Sequence, residues 1–234
     1  MKLPTVNKPP IQSDTVLPVW KPAGWTSFDV VNKIRRVTRI RKVGHAGTLD
    51  PFATGILLIC LGRATKQVSQ LMNLEKEYEA VIELGKETDT LDPEGTVVAE
   101  QPVPPISEEQ VKAVLQQFVG EIEQEIPAFS AAKFQGKRLY KMARKGQETP
   151  KLFKTVRIYS LELLALKPSE LTIRTVCGRG TYVRALARDI ARALGTVGYV
   201  KELVRTRVGP YTREDAYTIE EIVAQVQKEP LKES

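Results

Sequence analysis

Histidine and cysteine are nearly absent from this chain of 234 residues, which has one His (His45) and two Cys (Cys60 and Cys177). One imidazole and two distant thiols cannot assemble a His/Cys-rich zinc site. Any histidine-dependent triad is confined to that single ring. Cys60 lies inside the apolar run Ile56-Leu57-Leu58-Ile59-Cys60-Leu61, and Cys177 sits where an apolar stretch meets glycine. Both read as small buried hydrophobes, and a reducing cytosol is the expected compartment. No apolar run approaches the roughly 20 residues that a membrane crossing needs. No basic stretch followed by an apolar core opens the chain, so a soluble, cytoplasmic protein without membrane attachment is expected. A Gly-x-x-x-x-Gly-Lys-Ser/Thr loop is missing, as is a Gly-x-Gly-x-x-Gly after a strand, which leaves nucleotide hydrolysis and dinucleotide binding without support. Carboxylates, arginines and tyrosines must carry the chemistry, and no metal or cofactor is expected.

What is present in excess is positive charge. Lys and Arg number 35 against 28 Asp and Glu, a formal +7, which favours a partner such as nucleic acid or an anionic membrane surface. Residues 1–15, with Pro4, Pro9 and Pro10 and no periodicity, read as a flexible entry arm. After the Pro22/Gly24 turn, Thr26 or Ser27 can cap a helix whose apolar residues Val30, Val31, Ile34 and Val37 keep helical spacing. A glycine-rich loop then leads to a buried strand at 56–61, a short helix near 64–73 and an alternating strand at 78–82. A helix near 107–119 precedes strands at 120–126, 153–165 and 170–177, and a further helix follows Gly180. Several strands in succession without intervening helices predict an α+β fold, a mixed, largely antiparallel sheet flanked by helices. In the helix after Gly180, Arg184 lies about 100° from Val183, at the edge of the apolar stripe, while Arg188 and Arg192 are expected to point outward.

One loop stands apart. Gly44-His45-Ala46-Gly47-Thr48-Leu49-Asp50-Pro51-Phe52-Ala53-Thr54-Gly55 gathers three glycines, the only His and an Asp-Pro before a buried strand. From local chemistry alone, Asp50 reads as a turn-former. The tetrapeptide recurs as Thr90-Leu91-Asp92-Pro93, where Asp89, Glu94 and Gly95 suggest an exposed acidic turn, so four residues alone have little specificity. With its flanks, however, the first copy resembles the signature of the TruB family of tRNA pseudouridine synthases. Other matching segments follow in family order: Lys21-Pro22-Ala23-Gly24-Trp25-Thr26-Ser27, Gly62-Arg63-Ala64-Thr65-Lys66, Lys76-Glu77-Tyr78, Gly85–Thr90, Ile126–Lys133 with Gly136–Tyr140, and Arg179-Gly180-Thr181-Tyr182-Val183-Arg184. Together they span about residues 16–225.

The resemblance implies a pseudouridine-synthase-like catalytic domain over 16–228 and a tail at 229–234. The family's C-terminal PUA-type domain is expected to be absent, which leaves the grip on tRNA to the catalytic domain. It implies isomerisation of the uridine conventionally numbered 55 in the tRNA T-loop, after the base is flipped into a pocket. Asp50 would be the nucleophile. A carboxylate that attacks must be ionised and aimed, which a nearby arginine favours, and Arg184 is the expected partner. Tyr78 would receive the flipped base, and Tyr182, Leu203 and His45 would line its pocket. Lys21 and Lys66 would support the loop. Phosphates would meet Arg35, Arg36, Arg39, Arg41 and Lys42 before the loop, and Lys133, Lys137, Arg138, Lys141, Arg144 and Lys145 further on. Where the family commonly has Leu-Arg-Arg, this chain has Leu203-Val204-Arg205. A monomer with no obligate protein partner is expected. An RNA chaperone, or a guide-dependent relative acting on ribosomal RNA, would share much of this pattern. A glycosidase would need a second acid such as Asp89 or Asp92 beside Asp50.

Overall fold

The computed structural model describes residues 8–228. Residues 1–7 of the expected arm, and the expected tail 229–234, lie outside the described residues. Along the chain run β1 (Val16–Lys21), α1 (Ser27–Thr38), β2 (Val43–His45) and β3 (Thr54–Leu61). A 3-10 helix over Gly62–Gln67 leads into α2 (Val68–Leu71), then β4 (Lys76–Leu84), β5 (Lys86–Thr88) and β6 (Val97–Glu100). There follow α3 (Glu108–Gln116), β7 (Gly120–Glu125), β8 (Lys133–Phe134), β9 (Lys137–Arg138) and α4 (Leu139–Ala143). The chain continues with β10 (Phe153–Lys167), β11 (Glu170–Cys177), α5 (Val183–Ala193), β12 (Gly198–Val208) and α6 (Ile219–Lys228). It divides into two compact units, one running up to Glu77 and resuming at Val204, the other being Tyr78–Leu203.

In the first unit β3 pairs antiparallel with β1 and β2, and parallel with β12 at Val204↔Thr54 and Arg205↔Gly55. Every β3 residue after Thr54 is buried, because the strand is covered on both faces, which is why it reads as an unbroken apolar run. Leu57, Ile59 and Leu61 join Val30, Val31 and Ile34 of α1 and Ile219, Ile222 and Val226 of α6 in one core. Ile56 and Leu58 face Ala46, Val208 and Ala216. Each such side chain, fully buried, contributes about 1.5–3 kcal/mol. Thr26 caps α1: its hydroxyl accepts from Asp29 N at 3.0 Å, and Asp29 Oδ2 accepts from Thr26 N at 2.9 Å, a reciprocal capping box.

Residues 8–15, expected to be part of a loose arm, are held. Ile11 is buried in the α1/α6 core. Lys8 donates to Glu221 at 2.8 Å, the Tyr217 hydroxyl donates to the Pro9 carbonyl, and Asp14 accepts from Arg63 N and Nε at 2.7 Å.

The second unit carries the strand order β12-β4-β11-β10-β7. β10 and β11 form a long antiparallel hairpin, and β7 pairs antiparallel with the start of β10, from Phe153↔Glu125 to Ile158↔Gly120. Register shifts along β10 leave Tyr159 and Leu164 without paired partners on β11, and both side chains are exposed, as a bulge that turns one residue out of the ladder produces. α3, capped by Ser107 with Gln110, packs on β10 and α5. The expected α+β fold, with a largely antiparallel sheet flanked by helices, is the observed one. β12 has no counterpart in the sequence reading. Lys201, Glu202, Arg205 and Arg207 interrupt its alternation, and Arg205 occupies an inward position.

Gly55 has φ +115°, and a Cβ there would lie 2.2 Å from the Arg205 carbonyl oxygen and 2.6 Å from its nitrogen. Both conformation and space exclude a side chain. Gly55→Ala is expected to cost about 3 kcal/mol or more, read as a lowered urea midpoint; an unchanged midpoint would contradict the β3–β12 register.

Candidate active site

The loop from Ala46 to Ala53 enters from β2 and leaves into β3. Three buried side chains of the first unit tie its backbone. Lys21, at the end of β1 and fully buried, donates its ammonium to the carbonyls of Pro22 (2.9 Å), Trp25 (2.7 Å) and Pro51 (3.0 Å). Ser27, freed from capping by Thr26, exchanges bonds with Leu49: its hydroxyl accepts from Leu49 N at 2.9 Å and donates to Leu49 O at 3.1 Å. Arg205, buried on β12, spreads its guanidinium over the carbonyls of Ile56 (2.6 Å), Thr48 (3.3 Å) and Gly47 (3.2 Å). Asp50 itself is half-buried. It opens a turn in which Ala53 N donates to the Asp50 carbonyl at 3.2 Å, with Pro51 at the second position, where its fixed φ is favoured. The local turn reading is therefore right about the backbone at Asp50.

Of the two lysines expected to support the loop, Lys21 makes the bonds above, and Lys66 is exposed on the 3-10 helix. His45 closes β2, and its Nδ1 is buried without a hydrogen-bond partner among the described residues. Burial holds its pKa below the usual histidine range, with the Gly47 backbone pulling the other way and the Arg205 charge adding to the depression. The ring is accordingly neutral at neutral pH. Of the expected phosphate-facing run, Arg36, Arg39, Arg41 and Lys42 are exposed. Arg35 is instead committed to the protein, donating to Asn32 Oδ1 at 3.0 Å and to the Val43 carbonyl at 3.1 Å.

In the second unit Arg184 is buried. Its NH1 lies 3.2 Å from Asp92 Oδ2 and donates to the Thr90 carbonyl at 2.7 Å, while NH2 donates to the Phe129 carbonyl at 3.1 Å. This corrects the expectation for the repeated Thr-Leu-Asp-Pro. Asp92 is 4% exposed, and its Oδ1 accepts from the Thr90 hydroxyl at 2.5 Å and from Glu94 N at 3.0 Å. The turn forms because Leu91 adopts φ +61° and because Thr88 Oγ1 accepts from Asp92 N at 3.0 Å. Composition alone made it look solvated; a buried arginine draws it inward. Arg188, expected to face outward, is also buried, paired with Glu125 at 3.1 Å and Asp189 at 2.9 Å. Arg192 does lie outside, on Glu87 at 3.0 Å.

Tyr78 on β4 and Leu203 on β12 are buried, 8% and 5% exposed. Tyr182 caps α5 and is half-buried; its backbone is clamped by the Gln124 amide, whose Oε1 accepts from Tyr182 N at 2.7 Å and whose Nε2 donates to Tyr182 O at 3.1 Å. The Lys154 ammonium sits 3.9 Å from the Tyr182 ring centroid and donates to the Gly180 carbonyl. Burial pushes its pKa down to about 8. Lys133, Lys137 and Arg138 lie exposed on the β8/β9 hairpin, turned by Gln135 (φ +48°) and Gly136 (φ +79°), positive at both central positions as a tight hairpin requires. Arg138 and Arg144 flank the Tyr140 ring at 6.0 and 5.7 Å. Among the described residues no three His, Cys, Asp or Glu side chains gather as metal ligands.

Ser27, Asp92, Gln124, Lys154 and Arg205 were not singled out as site residues. Ser27, Asp92 and Arg205 lie within quoted segments, which is the one signal that marked them; Gln124 and Lys154 left none in a single sequence.

Residues 35–183 match the family model of the TruB family pseudouridylate synthase N-terminal domain, and residues 184–234 that of the tRNA pseudouridylate synthase B C-terminal domain. The tRNA pseudouridine synthase B of Caldanaerobacter subterraneus is 49% identical over 210 residues, covering 89% of this chain and 74% of the relative. That of Phocaeicola vulgatus is 45% identical over 219 residues, covering 91% and 93%. Among solved structures, a Cbf5–Nop10–Gar1 complex aligns with TM-score 0.73 at 30% identity, and an archaeal box H/ACA sRNP Nop10–Cbf5 complex with 0.67 at 30%. This chain spans 56% of the matched chain in each of those two structures. A family model over most of the chain, with relatives at nearly half identity across their own length, means that this protein belongs to the TruB family of pseudouridylate synthases.

Proposed function

We propose that this chain is a tRNA pseudouridine synthase that converts one uridine of the T-loop to pseudouridine without a cofactor. The observation that carries the reading is the Asp50 loop, whose backbone N–H and carbonyl groups are held by buried Lys21, Ser27 and Arg205. Such a scaffold fixes the backbone from which a reactive side chain projects. The curated relatives, named for action on tRNA and matched over 74% and 93% of their length, favour tRNA over a guide-directed substrate.

In this reading Asp50 is the nucleophile. The N-glycosidic bond breaks, the uracil turns, carbon 5 joins the ribose, and the carbon 5 proton is lost to solvent as N1 gains one. Arg184, held by Asp92, Thr90 and Phe129, is the arginine assigned to the catalytic set. Removing the uridine from its stack costs roughly a few kcal/mol, which the Tyr78 ring offsets by about 1–3 kcal/mol of stacking. Tyr182, Leu203 and neutral His45 shape the space for the base. Arg41, Lys42, Lys133 and Arg138 hold phosphates, and Lys66 contributes charge at the rim. The protein works as a cytoplasmic monomer, with its catalytic domain over 16–228 as the grip on the T-arm.

With purified protein and unmodified tRNA tritiated at uridine carbon 5, wild type releases tritium while Asp50→Asn releases none and binds tRNA within about twofold of wild type, because losing a nucleophile damages chemistry more than docking. Release by the variant would end the assignment; binding without release by either protein would favour an RNA chaperone. Affinity for tRNA is expected to fall about tenfold or more between roughly 50 and 200 mM salt as phosphate contacts release counterions. A salt-independent affinity, measured by filter binding, would refute the role of the exposed cations.

A further inference from the structure

Phe28 is an aromatic that the proposed reaction leaves unused and that the fold does not bury: it is 60% exposed. A single exposed apolar residue is ordinary, but two features set this one apart. The backbone beside it is tied to the loop through Ser27, which bonds Leu49 N and O at 2.9 and 3.1 Å, so the start of α1 is anchored to the residue just before Asp50. The second feature is what shares its face. On a 3.6-residue helix, Asn32 and Arg35 fall within about 40° of Phe28 and Arg36 lies about 80° round from it, while Arg39 follows the last turn as the left-handed C-cap.

Arg36 and Arg39 are exposed, and neither is in an ion pair among the described residues. The one carboxylate of α1, Asp29, is turned back onto Thr26 N and Oγ1 at 2.9 and 2.6 Å, so its charge is set against the helix N-terminus and not against a ligand on this face. An exposed aromatic on a helix that also presents exposed cations without ion pairs, and whose start is anchored to a reactive loop, suits unstacked nucleotides: the ring takes a base and the cations follow the backbone.

We propose that Phe28 is a stacking platform for a nucleobase of the RNA substrate other than the target uridine, with Arg36 and Arg39 holding phosphates along α1. This rests on the reading of the chain as a tRNA-modifying enzyme.

The test uses the full chain carrying Asp50→Asn, so that binding is read without turnover, and unmodified tRNA at fixed salt. Phe28→Leu weakens binding by about 5- to 100-fold, whereas Phe28→Trp stays within about twofold of the parent, since stacking needs a ring and not an apolar volume. Phe28→Leu leaves the slope of log affinity against log salt unchanged, while Arg36→Gln with Arg39→Gln lowers its magnitude by between one and two. Thermal midpoints of all variants stay at the parent value, because the side chains are exposed. Parental affinity in Phe28→Leu, or equal losses in the Leu and Trp variants, would overturn the stacking role alone. A parent that binds no tRNA would overturn both this inference and the reading on which it rests.

Discussion

Everything proposed for this protein depends on how the backbone between Gly47 and Pro51 is held. A loop of this kind carries carbonyls that must be satisfied once water is excluded. Here they are met by the ammonium of Lys21, the hydroxyl of Ser27 and the guanidinium of Arg205. Hydrogen bonds from charged donors contribute about 1.5–3 kcal/mol each. Burying two cations is in itself a costly choice. Their use implies that the loop geometry is worth more than the stability an apolar packing would give. The parallel pairing of Gly55 with Arg205 has the same logic, since it brings the strand bearing the guanidinium against the strand that leaves the loop.

The second unit repeats the principle with a different charge balance. Arg184 is held by Asp92 and by the carbonyls of Thr90 and Phe129, and Asp92 accepts from the Thr90 hydroxyl and the Glu94 amide. A buried pair of this kind is weak evidence for stability but a good way to hold one side chain in one orientation. Tyr182, on the residue that caps α5, is likewise set by Gln124 and overlain by Lys154. In both units the reactive-looking side chains are positioned by neighbours whose own orientations are determined by the backbone.

Much of the fold was legible because its strongest elements obey simple periodicities. β3 reads as an apolar run since both faces are covered, and α1 and α5 show apolar stripes. β12 did not read as a strand because its inward residue at 205 is an arginine whose role is to donate to carbonyls of other segments. The two Thr-Leu-Asp-Pro turns show the same limit. Identical tetrapeptides occupy different environments, and the burial of Asp92 follows from Arg184, 92 positions downstream, which no local pattern can reveal. Likewise Arg188 looked solvated until Glu125 of β7 met it. The site motifs were legible by resemblance, while the residues that hold them in place became visible only through the fold.

The central claim is that buried donors set the loop, and Arg205→Lys tests it most directly, because it keeps the charge and removes the fork that spans three carbonyls. Single-turnover kinetics on tRNA, alongside affinity and thermal midpoint, should give a folded protein that binds tRNA within about twofold of wild type but turns over at least about tenfold more slowly, as a slightly misplaced reactive group does. A folded Arg205→Lys variant with wild-type turnover would contradict the account.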